Sequence, residues 1–356
     1  MSDKIFKILS IDGGGIRGVI PAMVLAEIEA RTKQPIATLF DLIVGTSTGG
    51  ILTLGLTTPI VSGHSSPKFK ASDLVKIYTE RGEEIFKRTF FLTSIRSFLD
   101  STYTHKGLER IAVEKFQEAR LKDVIKPVIV TSYDVENLST YYFNSRLVVE
   151  NSAEENFLLR DIVRATSAAP TYFEPFLYNK FSDRTPASST FVDGGVFANN
   201  PAMLGYVEAK IINDQKRQNS ETERSRDFNE PVLQVAPREI AESFFLLSLG
   251  TGSVKKSFTH QKTKNWGVLN WARPIVDILM QSSADSIDYQ VKHLLPPNPS
   301  GAPRYIRLTP DEIREEHSDM ANASAKNIAA LCEYASELIK KRDREIDKAI
   351  EILLKH

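Results

Sequence analysis

The first 56 residues of the chain contain two consecutive units in which a strand-like run ends in a glycine turn and a helix follows. Residues 4–11 (KIFKILSI) are rich in Ile and Phe and stop at a glycine run, after which residues 19–31 carry apolar side chains at helical spacing. The pattern recurs with the apolar run 41–44, the turn 45–50 and the apolar segment 51–56. Such units build a largely parallel sheet with helices on its faces. We therefore expect an α/β fold whose functional groups gather at the carboxyl ends of the strands.

The rest of the chain continues in strands and helices. Further strands are predicted at residues 127–132, 140–143, 190–193 and 244–249, and helices at 72–87, 106–119, 158–167 and 201–212. Residues 213–227 are polar and charged without an apolar period, which favours a solvated surface loop. Beyond residue 252 the pattern is helical, over 266–295 and 318–356. We expect a main α/β domain over residues 1–255 and, over 256–356, a helical flank or cap of the same unit.

Composition narrows the classes of protein and partner. The 356 residues include 45 Lys and Arg against 45 Asp and Glu, so the chain lacks the net positive charge typical of nucleic-acid-binding proteins. A single cysteine, Cys332, excludes an internal disulfide and a multi-cysteine zinc site and fits a reducing compartment. No apolar run reaches the ~18 residues of a spanning helix, and residues 4–11 are too short for a secretion signal. We expect a cytoplasmic protein that does not bind nucleic acid.

The second glycine turn has the pattern of a nucleophile elbow. Gly45-Thr46-Ser47-Thr48-Gly49 matches G-x-S-x-G in the strand-to-helix context that the motif requires. A serine raised on a strained turn needs neighbours without side chains two positions away on either side, here Gly45 and Gly49. The helix that follows would place free N–H groups beside Ser47. The alternative is an ordinary glycine-rich loop.

The first glycine turn, residues 12–18 (DGGGIRG), allows several interpretations. Its glycines fit the dinucleotide fingerprint G-x-G-x-x-G, but Ser47 stands where the acidic residue that completes the fingerprint should end the next strand. A Walker loop fails because no Lys followed by Ser or Thr comes after Gly18. An oxyanion hole is the other functional interpretation, with consecutive N–H groups turned toward Ser47 and a positive charge from Arg17. A tight turn without a chemical role is the structural alternative.

The base for Ser47 is sought among histidines and carboxylates, because a serine hydroxyl needs a group that accepts its proton. None of the six histidines follows a strand in a glycine-flanked turn. Asp193-Gly194-Gly195 does, directly after the predicted strand 190–193. We therefore predict that Asp193 lies near Ser47 and acts as its base, the alternative being an Asp-Gly turn that serves only the backbone.

Together, the turns 12–18 (DGGGIRG), 45–50 (GTSTGG) and 193–195 (DGG) resemble the patatin-like phospholipase family, as does the stretch 165–170 (ATSAAP). The similarity covers roughly residues 4–252. It implies a three-layer α/β fold with a mainly parallel central sheet flanked by helices, the catalytic domain lying within 1–255 and C-terminal helices following. The site residues that it implies are the Ser-Asp dyad Ser47 and Asp193, an oxyanion hole at Gly13, Gly14, Gly15 and Arg17, and the elbow glycines Gly45 and Gly49.

The resemblance also implies an activity, the hydrolysis of fatty acyl esters of phospholipids, lysophospholipids or galactolipids through an acyl-enzyme, without a metal ion or cofactor. Membrane lipids or lipid micelles would be the substrate. Some bacterial members look like phospholipase effectors that a cyclic nucleotide activates in antiviral defence, and this sequence does not decide that. Two other classes stay open: a nucleotide-binding α/β protein that uses the first turn, and a lipid-binding module without turnover.

A peripheral membrane contact is a further expectation. Residues 85–99 (IFKRTFFLTSIRSFL) mix Phe and Leu with Lys and Arg, a composition typical of a membrane-surface or lid element. Phe90 and Phe91 would carry that contact. The alternative is a helix packed on the sheet.

Overall fold

The strands of the central sheet come from both halves of the chain. The computed structural model describes residues 5–87, 103–151, 155–180, 187–225, 244–254 and 258–355. Its strands are β1 Phe6–Ile11, β2 Leu42–Thr46, β3 Val128–Asp134, β4 Ser139–Asn144, β5 Phe176–Lys180, β6 Ala187–Asp193, β7 Phe244–Leu249 and β8 Tyr305–Leu308. They form one sheet in the order β5-β6-β3-β2-β1-β7-β8, and β4 pairs with β3 outside this path.

Helices cover both faces of this sheet. The longer ones are α1 Val19–Thr32, α2 Thr48–Thr57, α3 Ala71–Ile85, α4 Lys106–Phe116, α5 Ser145–Asn151, α6 Leu159–Thr166, α7 Ala202–Ser225, α8 Val268–Leu294, α9 Ala325–Lys341 and α10 Asp343–Leu354. Shorter helical segments are Gly15–Gly18, Ile36–Leu39, Leu121–Asp123, Gly195–Ala198, His260–Thr263 and Glu315–His317. The α2 helix begins two residues after β2 ends, which leaves room only for a sharp turn.

The centre of the sheet is parallel. β3, β2, β1, β7 and β8 run in the same direction, whereas β4 and β6 are antiparallel to β3, and β5 is antiparallel to β6. The predicted fold class, an α/β fold with a mainly parallel sheet flanked by helices, is confirmed.

Alternating residues of β1 enter two different hydrophobic cores, as expected for a strand buried on both faces. Leu9 and Ile11 belong to the larger core, which also holds apolar residues of α1, α2, α9 and α10. Phe6 and Ile8 belong to the smaller core, which they share with α7 and the C-terminal part of α8. The helices of residues 325–354 are thus part of the same hydrophobic core as the N-terminal units.

Several segments differ from the sequence prediction, among them the helix α5, which was not predicted. The surface loop expected over 213–227 is wrong for residues 213–225, where α7 continues as a helix to Ser225. This stretch is rich in Gln, Lys, Arg and Glu, which are good helix formers and favour a helix even without an apolar period. The strands β5 and β8 were not predicted either. β8 adds a strand within a region that the sequence pattern described as helical.

The length and hydropathy of the helices show whether any of them could span a membrane. In the part of the chain that the structure describes, no helix combines the length and the apolar character required to cross a bilayer.

Candidate active site

Ser47 occupies a strained turn between β2 and α2. Its φ and ψ angles are 54° and −122°, a conformation that residues other than glycine rarely adopt. Two backbone contacts hold it there: the Ser47 N–H donates to Thr166 Oγ1 (2.9 Å), and the Ser47 carbonyl accepts from the Ile51 N–H (3.1 Å). The hydroxyl is thereby fixed at the N-terminus of α2, where the helix dipole favours negative charge.

The elbow glycines allow the strands and the helix to touch. A Cβ at Gly49 would lie 2.1 Å from the Ile11 carbonyl oxygen, and a Cβ at Gly45 would lie 2.2 Å from the Gly49 carbonyl oxygen. Either clash would move α2 away from the sheet. A side chain at Gly45 or Gly49 would therefore displace Ser47.

The register of β3 brings Asp193 beside Ser47. Because β4 covers one edge of β3, β2 and β6 share the other edge. β2 ends there with Thr46 opposite Thr131, and β6 continues from the next residue of β3, with Asp193 opposite Ser132. From the sequence, the same geometry is expected at all three turns. In the structure β6 runs antiparallel to β3, so it approaches the end of β2 from the opposite direction along the same edge of β3. Ser47 and Asp193 line the same cavity as a result.

The surroundings of Asp193 suit a base. The residue is 1% exposed, and its Oδ1 accepts a hydrogen bond from the Gly195 N–H (2.7 Å). Its Oδ2 is buried without an aligned hydrogen bond to any described residue, and the nearby Ser47 hydroxyl lowers the pKa of the carboxyl. Burial raises the pKa of Asp193 to about 7, against the smaller lowering by Ser47 and Gly195. The carboxyl can therefore both accept and release a proton near neutral pH.

The glycine turn after β1 holds two N–H groups in a fixed direction. The Gly13 carbonyl accepts a hydrogen bond from Thr251 Oγ1 (2.7 Å), and the Gly14 carbonyl accepts one from Arg17 Nε (3.4 Å). In a trans peptide the N–H points opposite the carbonyl, so the N–H groups of Gly14 and Gly15 point away from these partners. Neither N–H donates to a residue that the structure describes. These two groups are the free donors of the turn.

Gly13 and Arg17, which were also predicted for the oxyanion hole, make contacts with other parts of the chain. The Gly13 N–H donates to the Asn199 carbonyl (3.0 Å) and is therefore occupied. A Cβ at Gly13 would lie 3.3 Å from the Ser47 Cβ, so this residue forms the contact between the turn and the elbow. The Arg17 guanidinium also donates to the Gly252 carbonyl (3.3 Å) and lines a second cavity of about 270 Å³. Arg17 thus stabilises the turn from the side that faces this second cavity.

The cavity of Ser47 and Asp193 is small and largely apolar, with about 40 Å³ of free space. Its apolar walls include Ile51, Phe86, Leu108, Phe173, Met280 and Met320. Ile85 and Phe86, which begin the predicted membrane segment 85–99, also line it, whereas residues 88–99 with Phe90 and Phe91 lie outside the described residues. None of the described histidines lines the cavity.

A buried ion pair lies behind the glycine turn. Arg307 of β8 donates to both carboxylate oxygens of Asp12, with Nη2 2.6 Å from Oδ2 and Nη1 3.3 Å from Oδ1. Its Nη1 also donates to Ser248 Oγ of β7 (2.7 Å). The first residue of the DGGGIRG turn is thus tied to the two strands on the other side of β1.

Two residues that hold the turns of the candidate site in place were not predicted from the sequence. Thr166 accepts from the Ser47 N–H, and Thr251 donates to the Gly13 carbonyl. Signals for both exist in the sequence: Thr166 lies in the ATSAAP stretch, and Thr251 follows the end of a predicted strand, where functional groups of α/β folds gather.

Known proteins resemble this chain along most of its length. A family model described as patatin-like phospholipase matches residues 9–206. Patatin-like protein 2 of Arabidopsis thaliana is 33% identical over 354 residues, which cover 94% of this chain and 83% of that protein. Patatin-like proteins 1 and 2 of Oryza sativa subsp. indica are each 32% identical, covering 94% and 97% of this chain and 81% and 86% of their own lengths. The resemblance seen in the three turns is confirmed, and the chain belongs to the patatin-like phospholipase family, a family of lipid acyl hydrolases.

Proposed function

We propose that the protein hydrolyses fatty acyl esters of phospholipids or related glycerolipids through a Ser47–Asp193 dyad, without a metal ion or cofactor. The observation that carries the proposal is the shared cavity, in which a strained serine faces a buried carboxyl with a pKa of about 7. Family membership supports the same reaction class.

The first half of the reaction forms an acyl-enzyme. Ser47 Oγ attacks the ester carbonyl carbon while the ionised Asp193 accepts the hydroxyl proton. The negative charge moves onto the former carbonyl oxygen, where the N–H groups of Gly14 and Gly15 stabilise it. When the tetrahedral intermediate collapses, the carbon–oxygen bond to the alcohol breaks. Asp193 returns the proton to that oxygen, and the lyso-lipid leaves.

The second half repeats the chemistry with water. Asp193 takes a proton from water, the hydroxide oxygen attacks the acyl carbon, and the same two N–H groups hold the oxyanion. Collapse returns the proton to Ser47 Oγ and releases the fatty acid. One carboxyl therefore serves both steps, which requires a pKa close to the working pH.

The cavity beside Ser47 matches an apolar acyl group in the polarity of its lining, and its free space of about 40 Å³ requires side chains to move when a chain enters. Its walls are mainly aliphatic, aromatic and methionine side chains, which favour a hydrocarbon chain over a charged group. Met280 and Met320 can adjust to a bound chain because methionine is flexible. These features support a fatty acyl ester as substrate, and the alcohol part is left open.

Covalent labelling tests the proposal most directly. A fluorophosphonate should attach to the peptide that contains Ser47, and Ser47→Ala should lose both the label and the release of fatty acid from phosphatidylcholine. The Asp193→Asn variant should react with the fluorophosphonate and hydrolyse phosphatidylcholine far more slowly, because the Ser47 hydroxyl then lacks its base.

Ser167 provides a matched control. It lines the same cavity with a buried hydroxyl that has no hydrogen-bond partner among the described residues. Ser167→Ala should keep the label on Ser47. A label on Ser167 in the native chain, or full esterase activity in Ser47→Ala, would refute the assignment of the nucleophile.

A further inference from the structure

The N-terminal half of α8 carries an exposed apolar face close to the catalytic cavity. Val268, Ile275 and Leu279 are 87%, 41% and 46% exposed. Spacings of seven and four residues put the three side chains on one face of the helix. Met280, in the same helical turn as Leu279, lines the cavity of Ser47. A surface that covers this face would therefore lie next to the proposed site of ester cleavage.

Aromatic residues extend this face at the start of the helix. The Trp266 and Trp271 rings are 5.0 Å apart between centroids, and Phe258 lies 5.3 Å from Trp266. All three residues are only partly buried. Partly exposed tryptophans are typical of the boundary between water and lipid, where the ring is buried and the indole N–H stays hydrated.

The segment that forms this face carries charge of one sign. Residues 258–276 contain three basic residues and no acidic residue, in a chain that is balanced overall. Lys262 and Lys264 are exposed and lie between Phe258 and Trp266 in the sequence. The first acidic residue, Asp277, lies on the opposite side of the helix from Val268 and lines a polar cavity that Phe258 also lines. Lysines beside exposed Trp and aliphatic side chains are complementary to an anionic lipid surface.

We propose that one surface, made of Lys262, Lys264 and Trp266 just before α8 and of Val268, Trp271, Ile275 and Leu279 on α8, docks the protein on anionic membranes. The docking rests on the proposed function for its purpose, because a membrane on this face would supply lipid to the adjacent cavity. It assigns the membrane contact to α8 and the residues just before it, whereas the sequence suggested the segment 85–99.

Vesicle binding tests the docking surface without consuming lipid. Full-length Ser47→Ala protein is sedimented with vesicles of phosphatidylcholine alone and with added phosphatidylserine. Lys262→Ala/Lys264→Ala should weaken binding to the anionic vesicles by about fivefold per lysine, with a smaller effect on neutral vesicles. Val268→Ser/Leu279→Ser should weaken binding to both, because it removes buried apolar area.

Matched controls change the same chemistry elsewhere. Ile60 and Val61, 57% and 59% exposed, follow the end of α2 that is remote from Ser47, so Ile60→Ser/Val61→Ser should bind vesicles normally. Lys340→Ala/Lys348→Ala removes two exposed lysines of α9 and α10 and should also bind normally. Equal loss of binding in these controls would refute a specific surface.

Two other results would overturn the proposal. One is unchanged vesicle binding by both double variants, Lys262→Ala/Lys264→Ala and Val268→Ser/Leu279→Ser. The other is a dimer in sedimentation velocity that Val268→Ser/Leu279→Ser converts to monomer without affecting vesicle binding, since the face would then join two copies of the chain. Cleavage of a soluble short-chain ester by the unaltered protein reports separately on the proposed function. Its absence alongside lysine-dependent vesicle binding would remove the reaction and leave the docking surface.

Discussion

Thr251 is a residue that can act on the reaction without touching the substrate. Its side chain is buried and donates to the Gly13 carbonyl, which fixes the peptide that presents the Gly14 N–H. An oxyanion donor is effective because its direction is set before the reaction begins. Thr251 is therefore a positioning residue for the proposed oxyanion hole.

Replacing Thr251 should separate catalysis from binding. We expect Thr251→Val, which keeps the shape and loses the hydroxyl, to lower kcat by roughly tenfold with little change in KM. This is less than the ~10²-fold cost of deleting a whole donor, because the N–H is still present. Steady-state kinetics on a soluble ester provide the measurement. Thr251→Ser, which keeps the hydroxyl, should restore most of the rate, and equal rates for the two variants would show that the hydroxyl has no such role.

At the scale of elements, the short strand β8 is joined to the site by charge. Arg307 lies on β8, Ser248 on β7 and Asp12 at the end of β1. The Asp12 and Arg307 side chains are 3% and 15% exposed, so both charges have lost most of their hydration. Their attraction to each other compensates for that loss. This pair connects β8 to the turn that carries the proposed oxyanion donors.

Breaking the pair should cost more than removing it. Arg307→Met leaves the Asp12 carboxylate buried alone and should lower the free energy of unfolding by about 3 to 5 kcal/mol in urea denaturation. Asp12→Asn/Arg307→Met should lose clearly less than the sum of the two single variants, because the pair is removed as a unit. Strict additivity would show that the two charges do not stabilise each other.

Elements with a local pattern could be predicted from the sequence, and those that depend on distant partners could not. β1, β2 and β7 are rich in apolar residues, and α1 and α2 follow glycine turns. β8 has only four residues and becomes a strand by pairing with β7, more than 50 residues earlier in the chain. β5 lies at the sheet edge, where no second neighbour requires an apolar run.

The same limit applies to the candidate site. The turns that hold Ser47 and Asp193 have local glycine signatures, and both side chains line one cavity. The free N–H groups of the glycine turn could not be identified locally. The Gly13 N–H donates to the Asn199 carbonyl. The Gly13 carbonyl, whose peptide orients the Gly14 N–H, accepts from Thr251, 238 residues away.

At the scale of the whole molecule, the burial that suits Asp193 to its proposed role as base also lowers the free energy of unfolding at neutral pH. The pKa of this carboxyl is about 7 in the folded protein, against an ordinary value of 3.8. Between these values the folded state binds more protons than the unfolded state, so the free energy of unfolding falls as the pH rises through the window. The proposed mechanism needs the ionised carboxyl, so kcat/KM should rise toward a plateau above pH 7. Activity and stability therefore change in opposite directions with pH.

Asp193→Asn should abolish both effects together. The amide cannot ionise, so the stability of the variant relative to the native chain should increase by about 3 kcal/mol between pH 5 and pH 8. Urea denaturation at the two pH values measures this difference, and Ser47→Ala, which keeps the carboxyl, should follow the native chain. Parallel stability curves for the native chain and Asp193→Asn would mean that Asp193 ionises at its ordinary pKa. A carboxyl of that kind would be a weaker base, and the rise of kcat/KM near pH 7 would then need another titrating group.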